Sequence, residues 1–186
     1  MEEIFSRYDT DKNTIHSYAA AYERVFESKR YDAIRLLEIG VWAGASLRVW
    51  ADYFEHTDSE IIGLDINSNF ESDTPKIKMM VLDATDSGAV SRLEGQFDII
   101  IDDGSHILRD QMRSFNILKD RVPVGGVYII EDIQSIENAE ILMALGVDSG
   151  WTVELSDTRH LKGRWDDIMV IYTKSHVKDE IVLLPK

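Results

Sequence analysis

Short apolar runs that close on a glycine or an acid, with helix-like stretches between most of them, constrain this chain more than any other feature. They are Ile34 to Ile39 before Gly40, Ile61 to Leu64 before Asp65, and Ile77 to Leu82 before Asp83. Phe97 to Ile101 comes before Asp102-Asp103, and Val127 to Ile130 comes before Glu131-Asp132. Continuous apolar runs of this length read as strands buried on both faces. Strands alternating with helical patterns imply a parallel sheet covered by helices on both sides. Right-handed crossovers then fix most of the topology. In such sheets ligands bind beyond the carboxyl ends of the strands.

The helical pattern begins with Ile15, Tyr18, Ala19, Tyr22, Val25 and Phe26, which predicts one amphipathic helix over 14–28, capped by Thr14 or Asn13. Further helices are expected over 45–54, 87–93 and 136–145. Another carries Met112, Phe115, Ile117 and Leu118 and stops before Pro123. Trp151 to Leu155 and Ile168 to Tyr172 read as two closing strands joined by a loop too polar for a helix. That pair predicts an antiparallel edge. The 186 residues, 44% of them hydrophobic, suit one domain spanning 1–186.

A formal net charge of -14 argues against nucleic acid, whose phosphates demand a basic face, and against an anionic membrane surface. There is no cysteine, so disulfides and thiolate metal sites are excluded. Neither a signal-peptide pattern at Met1-Glu2-Glu3 nor a bilayer-length apolar run is present, and the expected location is the cytoplasm. The expected partner is a small hydroxylated molecule, with a homodimer left open by the exposed first helix.

Ile99-Ile100-Ile101-Asp102-Asp103-Gly104-Ser105-His106 and Tyr128-Ile129-Ile130-Glu131-Asp132 are the stretches that carry chemistry. Two neighbouring strands would bring four carboxylates and one imidazole to a single crevice. Such a cluster is costly without positive charge, and a divalent metal is the simplest candidate. Alternation along a strand points Asp102 away from Asp103. The turn Glu38-Ile39-Gly40-Val41-Trp42-Ala43-Gly44-Ala45-Ser46 is not the dinucleotide fingerprint. Trp42 is too bulky for a pyrophosphate to lie against the backbone, which disfavours a nicotinamide enzyme, and the turn suits a nucleoside without phosphates. Asp65, 25 residues after Gly40, is placed to hold ribose hydroxyls. Asp83 either accepts from an adenine amine or caps its loop. Taken singly, such glycines and acids occur in any α/β protein.

Together these residues resemble class I S-adenosylmethionine-dependent methyltransferases, and more finely the metal-dependent sugar O-methyltransferases of macrolide biosynthesis. The resemblance runs from about Tyr8 to Ile133. Asp11-Lys12 with His16-Ser17-Tyr18, the turn above with Ser46-Leu47-Arg48-Val49-Trp50, and the two acidic stretches carry it. Asp9 and Asn13 stand where that family often has glycines. The resemblance implies a Rossmann-like three-layer sandwich with a mostly parallel seven-stranded sheet and an antiparallel edge strand. It implies S-adenosylmethionine and Mg2+ as cofactors. Asp103, Glu131 and Asp132 become metal ligands, and His106 the general base, neutral near physiological pH. Glu38, Gly40, Gly44, Ser46, Asp65, Asp83 and Asp102 become cofactor residues, joined by His16 and Tyr18 on the same side.

The implied reaction moves a methyl group to a hydroxyl of a sugar or other vicinal diol. A catechol-type acceptor and a non-catalytic nucleoside-binding protein remain as alternatives. Trp42 either flanks the cofactor or packs on the first helix. Arg159, Arg164, Trp165, Asp166 and Asp167 either border the acceptor or form a solvated hairpin. His56, His160 and His176 carry no motif.

Overall fold

Alternation inside each strand decides which helices cover which face of the sheet. In this computed structural model, residues 1–67, 70–72, 74–147 and 150–175 are described; His176 lies outside them. Helices α1 (Glu2–Phe5), α2 (Asp11–Thr14) and α3 (Ala19–Phe26) precede strand β1 (Arg35–Ile39). Then come α4 (Ala45–Tyr53), β2 (Glu60–Asp65), β3 (Ile77–Val81), α5 (Ser87–Val90), β4 (Ile99–Asp102) and α6 (Leu108–Leu118). The chain continues through β5 (Val127–Ile130), α7 (Ile136–Gly146), β6 (Trp151–Asp157), α8 (Arg159–Lys162) and β7 (Ile168–Lys174). Leu36, Ile99, Ile101 and Ile129 turn to one face, where Phe5, Tyr22, Phe26 and Trp50 close over them. Leu37, Ile100, Tyr128 and Ile130 turn to the other, against Phe115 and Leu142. Trp50 is the hub of the first face, with ring centroids 4.8 Å from Tyr22 and 5.7 Å from Phe5. This aromatic packing holds the N-terminal helices against the sheet, close to the end of β1.

The sheet order is β3-β2-β1-β4-β5-β7-β6. The first five strands are parallel, and β7 runs antiparallel to both β5 and β6. The expected mostly parallel seven-stranded sheet is therefore present, with its antiparallel pairings confined to one edge. The chain winds outward from β1 to β3, then returns to place β4 on the other side of β1. That reversal opens a crevice between β1 and β4, the place where such sheets bind ligands.

Three local expectations change. The helix predicted over 14–28 begins only at Ala19, with Tyr18 rather than Thr14 or Asn13 at its cap position, and a separate short helix, α2, precedes it. Thr10 accepts from the Lys12 amide at the start of α2. The chain unwinds because Lys12, His16 and Tyr18 are each drawn to a carboxylate on the sheet, while Ile15 is left exposed. The loop between β6 and β7 does contain a helical turn, α8, begun by the Asp157 carboxylate on the Arg159 amide and ended by Gly163 at φ +72°. The helix expected over 87–93 is a single turn capped by Asp86. No helix among the described residues is long and apolar enough to cross a membrane.

Candidate active site

Register alone lines up the candidate residues. Ile39 pairs with Asp102, and Asp102 pairs with Ile130. One residue further on, the Asp103 amide donates to Ile39 O at 2.9 Å and the Glu131 amide to Asp102 O at 3.0 Å. Gly40, Asp103 and Glu131 thus stand side by side past the strand ends. Gly40, at φ +84°, is required here: a Cβ on it would lie 2.0 Å from the Asp103 carbonyl oxygen. Among the described residues, the non-glycine positions with left-handed backbone are Trp42, His106 and Asp132. They follow β1, β4 and β5 in turn. Strain of this kind persists where the surrounding structure imposes it, and it gathers at functional sites.

The positive charge that the acids demand is present, and it is Lys12. Its side chain is 2% exposed, and its Nζ lies 2.6 Å from Asp103 Oδ2, against Glu131 Oε2, and 3.4 Å from Glu38 Oε1. Burial opposes the ammonium charge, but the three carboxylates outweigh it and hold the Lys12 pKa well above its ordinary value. Burial likewise pushes the carboxyls of Glu38 and Glu131 up to about 7 against the pull of Lys12. For Asp103 burial acts upward too, but Lys12 and His106 outweigh it and hold it low. This lysine belongs to a quoted motif, yet nothing in its spacing marked it as buried; the cluster's unmet charge was the available signal.

His106 Nε2 lies 3.2 Å from Asp103 Oδ1 and 3.8 Å from Asp132 Oδ2. The hydrogen bond to Asp103 leads in raising its pKa to about 9. The expectation of a neutral imidazole near physiological pH therefore fails while both carboxylates face the ring unneutralised. Asp132 is fixed from its other side: Tyr18 OH donates to Oδ1 at 2.6 Å, and His16 Nδ1 stands 3.4 Å away. His16 also sits 2.8 Å from Asp167 Oδ1 and stacks on Tyr18 at 5.0 Å. Burial and the Asp132 charge raise the Tyr18 pKa.

Two clefts flank this cluster. The first, of about 350 Å³, runs along the ends of β1 to β4 and is lined by Gly40, Asp65, Leu82, Asp83, Asp102 and Gln111. The second, of about 280 Å³, lies between the Asp9–Asp11 segment and the turn after β1, with Trp42, Ser46, Asp103 and His106 on its walls. Gly40, Asp65 and Gly104 line both, so the clefts adjoin along these residues.

The cofactor residues expected from sequence divide accordingly. Asp65 faces both clefts, with Oδ2 accepting from the amides of Val41 and Trp42 and Oδ1 from that of Asn67. Asp83 lines the first cleft while its Oδ1 caps Thr85. Asp102 also faces the first cleft, bonded to Ser114 Oγ and to the Gly104 amide, and burial raises its carboxyl to about 6. It does point away from Asp103. Ser46 faces the second cleft and donates to Glu38. Glu38 lines neither cleft; it is fully buried behind Ser46, Trp50 and Lys12. Gly44 lines neither cleft; it faces the Phe70 ring, where a Cβ would come within 2.3 Å. His16 and Tyr18 line neither cleft and belong to the Asp132 side. Trp42 is 86% exposed at the rim, not packed on the first helix. Asp166 and Asp167 are buried, which removes them from a solvated hairpin, whereas Trp165 is exposed.

Among the described residues, the group able to share one ion is Asp103, His106 and Asp132, whose ligand atoms lie within 4.8 Å of one another. Glu131, expected in that set, is bound to Lys12 instead, with its Oε1 buried and without a hydrogen-bond partner.

Residues 37–133, more than half of the chain, match a family model described as a methyltransferase domain. The chain belongs to this methyltransferase-domain family. Demethylmacrocin O-methyltransferase of Streptomyces fradiae is 38% identical to it over 144 residues, 72% of this chain and 36% of that protein. Mycinamicin VI 2''-O-methyltransferase of Micromonospora griseorubida shows the same identity and coverage. The solved structure of the MycE methyltransferase from the mycinamycin pathway, in complex with Mg and SAH, superposes with a TM-score of 0.76 at 29% identity. That superposition covers 99% of this chain and 56% of the other. The methyltransferase domain seen here spans about a third of the length of the curated relatives it matches.

Proposed function

We propose that this domain transfers a methyl group from S-adenosylmethionine to a hydroxyl of a glycosidic or other polyhydroxylated small molecule, with a divalent ion, Mg2+, beside the acceptor. The observation that carries the reading is that the two clefts share the wall formed by Gly40, Asp65 and Gly104, with Asp103 and His106 on the second. A nucleoside-type donor in the first cleft would have its reactive end beside His106 and Asp103 in the second. The residues suit that donor. Leu82 and Ala84 offer an apolar wall, and each Asp65 oxygen retains accepting capacity for ribose hydroxyls beyond its backbone bonds. The volume lies within the usual range of small-molecule sites.

S-adenosylmethionine would supply a methyl group already activated on a sulfonium, so the protein must supply alignment and a proton acceptor. The oxygen-rich donor set of Asp103 and Asp132, with the unpartnered Glu131 Oε1 nearby, suits Mg2+. Such an ion would supply the positive charge that draws a hydroxyl proton off near neutral pH. His106 Nε2 is the proposed proton acceptor. Its ring can take a proton only once positive charge offsets Asp103 and Asp132, because those carboxylates otherwise keep it protonated. Tyr18 and His16 hold Asp132 so that Oδ2 stays toward His106. A sugar-type acceptor is favoured by the relatives, whose names refer to a macrocin, a mycinamicin and an α-L-rhamnosyl tetracenomycin. The segments outside 37–133 are proposed to belong to the same domain, since α1 to α3, β6 and β7 pack on the one sheet.

Titration calorimetry with S-adenosylmethionine, followed by methyl transfer to a panel of deoxyhexose glycosides with and without MgCl2, tests the proposal. A His106→Gln variant should keep donor affinity and lose turnover by roughly 10²- to 10⁴-fold. A protein that binds no donor under any of these conditions refutes it.

A further inference from the structure

Lys12 takes no part in the transfer just proposed, yet its ammonium is almost fully enclosed in the site. Lysines are seldom buried unless paired. Here residues from three adjacent strand ends converge on one: Glu38 at the end of β1, Asp103 after β4 and Glu131 after β5. Asp103 divides its oxygens, Oδ2 to the ammonium and Oδ1 to His106. Glu131 gives Oε2 to the ammonium and leaves Oε1 buried without a hydrogen-bond partner, while Glu38 Oε1 meets the ammonium only as an ion pair at 3.4 Å. An ion seated on Asp103 would therefore share that carboxylate with the ammonium, and like charges so placed repel strongly in a buried setting. The two cations cannot both be held tightly by the same carboxylates.

Resting on the reading that this site takes a divalent ion, we propose that Lys12 is that ion's built-in competitor. The ammonium neutralises Asp103 and Glu131 while the ion is absent and releases them when it enters. The fold gives this exchange a second consequence. Lys12 lies in α2, a single turn, and the neighbouring Asp9, Thr10 and Asp11 line the second cleft. The amides of Ile15 and His16 are bonded to Asp11 O, and that of Tyr18 to Lys12 O. Withdrawal of the ammonium removes the contact that ties this turn to β1, β4 and β5, leaving the segment held by His16 on Asp167, Tyr18 on Asp132 and Lys162 on the Asn13 and His16 carbonyls, so ion loading loosens the wall of the second cleft.

Calorimetry of the donor-free protein with MgCl2, comparing wild type with Lys12→Met, reads the competition directly. Methionine keeps the apolar stem and drops the charge. The variant should bind Mg2+ at least about tenfold more tightly and show a larger Mg2+-induced rise in Tm. Equal or weaker binding by the variant, with binding by wild type, overturns the competitor role and leaves the ion reading intact. Binding by neither protein overturns both. Hydrogen exchange on the wild type alone does not depend on the variant folding. Saturating Mg2+ should speed exchange at the amides of Ile15, His16 and Tyr18, and unchanged or slower exchange there overturns the proposal.

Discussion

Gly40 and Gly125 form a matched pair that isolates one contact. Their φ angles are +84° and +82°. Alanine at either position must adopt left-handed backbone, at about 1–2 kcal/mol. At Gly125 the added Cβ meets nothing within 4 Å, so that strain is the whole effect. At Gly40 it would stand 2.0 Å from the Asp103 carbonyl oxygen and 2.7 Å from its carbon. Neither side yields easily. The Asp103 amide is bonded to Ile39 O, and its carboxylate is held between Lys12 and His106. Forcing a methyl into a packed site adds about 1–3 kcal/mol. Gly40→Ala should therefore cost about 2–5 kcal/mol in all. For a chain of this size, each kcal/mol lowers Tm by about 2–4 °C. The expected losses are about 2–8 °C for Gly125→Ala and about 4–20 °C for Gly40→Ala. Paired urea denaturation and donor titration supply the check. Gly40→Ala alone should lose donor affinity, because moving Asp103 reshapes the junction of the two clefts. Equal destabilisation within about 0.5 kcal/mol, with donor binding intact in both, would show that the two backbones do not meet as described.

Two further outcomes follow from the same geometry. Tyr18→Phe removes the hydroxyl that donates to Asp132 Oδ1 at 2.6 Å and should cost about 1.5–3 kcal/mol in urea denaturation; a loss below about 0.5 kcal/mol would mean that the bond does not hold Asp132. In a chelating buffer, stability should fall as pH rises. Asp102, Glu38 and Glu131 titrate at about 6, 7 and 7, above their ordinary values, so the folded state holds their protons longer and loses that advantage through those pH values. His106, raised to about 9, contributes stability that is complete below its ordinary pKa and is lost as pH climbs through 9. Urea midpoints should thus rank about pH 5 above pH 7 above pH 9, and a midpoint that rises between 5 and 7 contradicts the assignment.

What was legible in the sequence was whatever depends on local pattern. The apolar runs ending at Ile39, Asp65, Val81, Asp102 and Ile130 are strands within a residue or two of their expected bounds, because burial on both faces leaves little room for another reading. The convergence of Asp103, His106 and Asp132 followed from strand adjacency, and the structure brings them within 4.8 Å. Contacts between segments far apart in the chain were not legible. Lys12 meets Glu131 across 119 positions, and His16 meets Asp167 across 151. Such contacts also keep the start of the predicted first helix unwound, since His16 is pulled to Asp167 and Tyr18 to Asp132. Glu38 looked like a cofactor residue because of its place before the glycine turn. Its side chain follows the alternation of β1 onto the face of Trp50, under Ser46 and away from both clefts.

The doubled acids take on a clearer meaning from that alternation. Asp102 and Asp103 leave one strand on opposite faces: the first enters the cleft beside Ser114, and the second meets Lys12 and His106. Glu131 and Asp132 both stay with the Asp103 cluster, the first on Lys12 and the second toward Tyr18 and His106. Asp102 and Asp103 in succession thus face the two clefts without lengthening the loop. The arrangement needs the ladder to hold register up to its last residue, because a slip of one position would exchange the roles of Asp102 and Asp103. Buried Lys12 guards against that slip. It binds residues at three neighbouring strand ends at once, so a shift in any one of them would break a contact to its ammonium.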